Sequence, residues 1–133
     1  MWEKVRHKIA IYLKFTYPCS DEEFEQRVKQ TKEKYIRSYA RFSDELVGFY
    51  IDRGESNDAF EKMIEDSKKN KFGWISTYSL FMFGNNRRKL KDIIRELQEK
   101  KPPTYISFRS EKISTAWPWF WDKFEKYFGQ NTD

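Results

Sequence analysis

A chain of 133 residues and 16.4 kDa has room for one hydrophobic core but not two, so a single domain is expected. Hydrophobic residues make up 38% and charged residues 35%, while aromatics at 19% supply enough bulky burial for a core that needs no staple. The lone Cys19 excludes an internal disulfide and the lone His7 a zinc-type ligand cluster; a net charge of +5, with 21 acids among 26 bases, permits a polyanionic partner without requiring one.

Residues 8–15 (KIAIYLKF) form an apolar run rich in β-formers that ends near Pro18, and they predict a buried strand. The run is too short to span a bilayer or to serve as a signal-peptide core, so a cytoplasmic protein with no membrane association is expected. Ser20 with Glu23 makes a capping box, and Phe24, Val28, Thr31 and Tyr35 then recur at helical spacing to about Tyr39. Residues 45–51 (ELVGFYI) predict a second strand, closed by the turn Asp52-Arg53-Gly54-Glu55-Ser56. Asp58 with Glu61 predicts the cap of a second helix, with Phe60, Met63 and Ile64 facing inward. Residues 73–80 (GWISTYSL) predict a third strand. Leu90, Ile93, Ile94 and Leu97 mark a third helix, stopped by Pro102-Pro103, and residues 104–108 (TYISF) a fourth strand. The aromatic run Trp117-Pro118-Trp119-Phe120-Trp121 leads into Phe124, Tyr127 and Phe128, a short helix with Pro118 in its first turn.

Strands alternating with helices predict an α/β fold: an open three-layer sandwich whose mostly parallel sheet has four to five strands and helices on both faces. Residues 1–113 are expected to form this domain and residues 114–133 an aromatic helical tail, packed on it or on a partner. In such a sheet ligands bind beyond the carboxyl ends of the strands, which singles out the loops 14–20, 52–58, 81–88 and 109–116. No Gly-x-Gly-x-x-Gly or Gly-Lys-Ser/Thr loop occurs, which argues against dinucleotide and P-loop nucleotide binding. Lys14-Phe15-Thr16 stands where a phospho-receiver domain needs acids. No cofactor, metal or small-molecule substrate is expected, and Cys19, with no base in view, reads as a packing residue.

From about Lys8 to Thr115 the chain resembles the catalytic domain of serine recombinases, the resolvase/invertase family. That family opens with a strand ending Tyr-x-Arg-Val-Ser, similar to Tyr12-Leu13-Lys14-Phe15-Thr16. Its next strand ends Asp-x-Gly-x-Ser, matched by Asp52-Arg53-Gly54-Glu55-Ser56. A helix opening Arg-x-x-Phe/Leu is similar to Asn57-Asp58-Ala59-Phe60. A strand running into Leu-Asp-Arg-x-x-Arg-Asn aligns with Leu80-Phe81-Met82-Phe83-Gly84-Asn85-Asn86. A last Ser/Thr-containing segment is similar to Ile113-Ser114-Thr115.

The resemblance implies DNA strand cleavage and exchange, in which a serine attacks a phosphodiester and arginines clamp the charge that grows on the phosphoryl oxygens. This chain departs from the pattern. Thr16 takes the nucleophile position, and Lys14 keeps a charge but not the bidentate fork. Asn57 replaces one arginine, and Phe81, Met82 and Asn85 replace an acid and two arginines. The expectation is a degenerate, catalytically inactive member, without a DNA-reading module after Thr115, that acts by self-association or as a DNA accessory. Two alternatives stand beside it: a recombinase or nickase using Thr16, and a nucleic-acid binder without chemistry.

Phosphate contacts are sought at Arg87, Arg88, Lys89 and Lys91, where a helix start favours anions; the alternative is a solvated basic face. Trp117, Trp119, Trp121, Phe124 and Phe128 are expected to divide between capping the core and meeting a partner or a second copy.

Overall fold

The computed structural model describes residues 7–39, 44–83 and 86–128. Along the chain run β1 (Lys8–Phe15), α1 (Asp21–Tyr39), β2 (Glu45–Arg53), α2 (Asp58–Lys68), β3 (Trp74–Thr77), a 3-10 turn at Leu80–Phe83, α3 (Arg87–Glu99), β4 (Tyr105–Phe108), β5 (Ile113–Ser114) and α4 (Phe120–Phe128). The sheet order is β2-β1-β3-β4-β5, with β5 alone antiparallel to its neighbour.

β1 is paired on both edges and covered on both faces, which is why its sequence is an unbroken apolar run. Successive side chains of a strand point to opposite faces, so β1 feeds two separate cores. Ile9, Ile11 and Leu13 pack with Tyr35 of α1. Ala10 and Tyr12 join Phe60 and Met63 of α2, Leu90, Ile94 and Leu97 of α3, and Phe120 and Phe124 of α4. The expected three-layer sandwich is therefore the observed one, with α1 on one face and α2, α3 and α4 on the other.

Local departures from the sequence reading each have a physical cause. β3 ends at Thr77 rather than Leu80, because the Glu111 carboxylate accepts from the Ser79 hydroxyl (2.9 Å) and the Leu80 amide (2.7 Å) and draws the chain into the 3-10 turn. α2 is not capped by Asp58, which lies inside it. Its first free amides, Ala59 N and Phe60 N, donate instead to the Asp52 carboxylate at 2.8 and 3.0 Å. Pro118 sits in the turn before α4, not in its first turn.

The boundary expected between 113 and 114 falls inside β5. Thr115 then ties itself to β4, its hydroxyl accepting from Ile106 N at 2.8 Å and its own amide donating to Ile106 O at 2.9 Å. Among the described residues no helix is long and apolar enough to cross a membrane.

Candidate functional site

The carboxyl end of β1 brings together three of the residues aligned with the family's cleavage site, Lys14, Thr16 and Asn57. Lys14 Nζ donates to Asn57 Oδ1 at 2.7 Å, so two positions 43 apart in sequence meet at the mouth between β1 and α2. Thr16 lies just past the strand and is exposed. No described residue hydrogen-bonds to its hydroxyl, so among the described residues none is placed as a base for its proton.

Beneath this pair sits Asp52, only 3% exposed. Its carboxylate accepts from the Tyr12 hydroxyl at 2.7 Å as well as from the two α2 amides. Burial, and then the bond to Asp52, push the Tyr12 phenol well above its ordinary range, so it stays a donor. Asp52 is thus spent on joining β1, β2 and α2. Gly54, at φ +65°, makes the turn that follows, a conformation a side chain would strain. Arg53 points back to α1: it donates to Asp21 Oδ1 (2.7 Å) and Cys19 O (2.6 Å), and its guanidinium lies over Phe24.

The segment after β3 holds no charged group at the aligned positions that are described. Phe81 is 47% exposed and its ring meets Phe128 at 5.0 Å. Met82 and Phe83 are half-buried against the core, where Phe83 touches Tyr12, Phe60 and Phe108. Asn85 lies outside the described residues. Asn86 caps α3 by accepting from Lys89 N at 3.0 Å.

The basic start of α3 divides in two. Arg87 and Lys91 both turn to Glu125 of α4. The Arg87 hydrogen bond, reinforced by the nearby charges of Arg87 and Lys91, holds the Glu125 carboxyl below its ordinary range. Only Arg88 and Lys89 of that cluster are left exposed. The tail divides as well. Phe124, expected at a partner interface or the core, is fully buried with Phe120 in the chain's own core. Trp121 is half-buried, with Arg95 over its ring at 4.8 Å. Trp117 and Trp119 remain 38% and 51% exposed with their rings 5.4 Å apart.

No family model and no curated protein matches the sequence. Solved structures do. The N-terminal catalytic domain of TP901-1 integrase is similar with a TM-score of 0.63 and 21% identity, covering 93% of this chain and 93% of that one. A resolvase family site-specific recombinase from Streptococcus pneumoniae is similar with a TM-score of 0.58 and 21% identity, over 84% of this chain and 77% of that one. The fold is that of a serine-recombinase catalytic domain. At this identity the likeness establishes the fold, and the chemistry has to be read from the residues.

Within this recombinase fold the tertiary structure adds a feature that pattern reading missed. A cleft of about 800 Å³ opens above the ends of β1, β3 and β4, bounded by Lys14 on β1, Lys34 and Tyr35 on α1, Tyr78 after β3, and Arg109 and Ser110 after β4. Among the described residues no carboxylate lines it. Arg109 falls in one of the loops singled out by topology. Lys34 carries no sequence signal, being one base on a mixed-charge helix.

Proposed function

We propose that this chain is a resolvase-like domain that does not cut DNA and acts by binding, as a self-associating or DNA-accessory module in the cytoplasm. The observation that carries this reading is the state of the positions where charge clamps would be needed. Asn57 stands where an arginine is needed, Phe81 packs against Phe128, Met82 lies against the core, and Arg87 is bound by Glu125. Losing one preorganised transition-state donor costs about 10²–10³ in rate, so losing several together leaves little catalysis at an unassisted Thr16.

The exposed Trp117–Trp119 pair and Phe81 supply aromatic surface of the kind that anchors protein interfaces, and Arg88 with Lys89 supply exposed charge for a phosphate backbone. Incubation with supercoiled DNA followed by denaturing electrophoresis tests the loss of cutting. No covalent protein–DNA adduct is expected, and an adduct that disappears in Thr16→Ala would overturn the reading. Light scattering with and without duplex DNA tests the binding role. A chain that stays monomeric and leaves DNA unbound would remove it.

A further inference from the structure

The sheet order reverses between β1 and β3, and in open parallel sheets the space beyond the carboxyl ends at such a point is where ligands settle. The cleft described above, with no carboxylate among its described lining residues, lies there, and about 800 Å³ is a volume that suits a small ligand. We propose that it binds a nucleoside phosphate, the phosphate held by Lys14, Lys34 and Arg109 and the base laid against Tyr78. This goes beyond the binding role above and is independent of whether DNA is cut. It also departs from the sequence reading, which expects no small molecule.

Charge is the first argument. Several bases elsewhere are taken up by acids: Arg53 meets Asp21, Lys62 and Lys71 meet Asp66, Lys68 meets Glu96, and Arg87 and Lys91 meet Glu125. Lys14, Lys34 and Arg109 come from β1, α1 and the loop after β4, converge on one cleft, and have no carboxylate partner among the described residues. Placing like charges together without a counter-ion costs free energy that an anion recovers.

Preorganisation is the second. The Arg109 guanidinium rests on the Tyr35 ring at 4.9 Å, and Tyr35 is 5% exposed, so the fork is supported while its N–H donors remain available. Lys14 gives one proton to Asn57 and retains two more to donate. The backbone after β4 is itself fixed, with Ser110 N donating to Tyr78 O at 2.6 Å, which sets the Ser110 hydroxyl and Tyr78 side by side on the rim. Tyr78 is 56% exposed although it lines the cleft, which leaves an aromatic ring open to a flat apolar partner. A phosphate joined to a base answers both features.

Calorimetric titration of the full chain with AMP, with inorganic phosphate and with a short DNA duplex tests the proposal. AMP is expected to bind at micromolar to millimolar concentration and more tightly than inorganic phosphate. Arg109→Ala is expected to weaken it by about tenfold, as removal of a charge-assisted hydrogen bond does. Lys34→Ala, on an exposed helix position where folding is not at stake, is expected to weaken it severalfold, and Arg88→Ala on α3, outside the cleft lining, to leave it unchanged. The proposal is overturned if AMP gives no heat at millimolar concentration, or if Lys34→Ala and a folded Arg109→Ala bind it as the parent does. Equal affinity for inorganic phosphate would remove the nucleoside, and a site taken by duplex but not by AMP would make the ligand nucleic acid instead.

Discussion

Asp52 is the residue on which the start of α2 depends. One buried carboxylate satisfies two helix amides that have no intrahelical partner and also the hydroxyl of a Tyr12 that is 1% exposed. Asp52→Ala removes the cap and leaves Tyr12 with an unmet buried donor, so a loss of about 2–4 kcal/mol in urea denaturation is expected. Tyr12→Phe leaves the carboxylate its two amides and should cost about 1 kcal/mol. With the two changes combined, the total should fall short of their sum, because both remove the same hydrogen bond. Acid titration reports on a second pair of carboxylates. Asp66, hydrogen-bonded first of all by the Tyr50 hydroxyl, and Glu125, hydrogen-bonded by Arg87, both have folded pKa values below their ordinary ones. A depressed folded pKa gives stability that is present above the unfolded value of about 4 and is lost as pH falls through the folded value. The unfolding midpoint should therefore drop on acidification below about pH 5, and less steeply in Glu125→Gln.

At the scale of elements, α4 separates a core role from a surface one within a single helix and its leading turn. Phe120 and Phe124 are fully buried against Phe108 and the α3 stripe, whereas Trp119, one residue before the helix, is half exposed. Phe120→Ala should destabilise the whole domain by about 3–5 kcal/mol, the cost of a large cavity in a packed core. Trp119→Ala should change stability by less than about 1 kcal/mol and act instead on self-association in light scattering. A tail that merely rested on the domain would give small stability effects at both sites. The pairing of α4 with α3 also changes how the basic cluster is tested. Arg87→Ala leaves Glu125 half-buried without its principal partner and should show first as reduced stability. Arg88→Ala and Lys89→Ala should leave stability alone.

For the whole molecule, the distribution of charge decides more than its total. A net charge of +5 is modest, and part of the basic surface is paired, including Arg87 and Lys91 at the start of α3. If the exposed α3 cations neutralise phosphates of a DNA backbone, replacing Arg88 and Lys89 by alanine should lower the slope of log affinity against log salt by about 1 for each phosphate left without its cation, read by anisotropy. An unchanged slope would assign them to a solvated helix face. The unpaired cations of the β1–β3 cleft make a different demand, for a compact anion rather than a long one. Among the described residues that line the cleft none belongs to α3, so variants of the two surfaces should act independently.

The linear sequence determined the layers. An unbroken apolar β1, the capping box at Ser20, the stripe through Leu90, Ile94 and Leu97, and the alternation of strand with helix are local patterns that the observed sandwich retains, because period and burial are properties of neighbouring residues. The order of motifs along the chain was also enough to carry the recombinase resemblance. What only the tertiary structure decided are contacts between distant segments: Asp52 capping α2 in place of Asp58, Glu111 ending β3 early, and Glu125 taking up Arg87 and Lys91. The convergence of Lys14, Lys34 and Arg109 belongs to the same class. A side chain's partner depends on where folding brings the other element, and no spacing rule along one strand or helix encodes that.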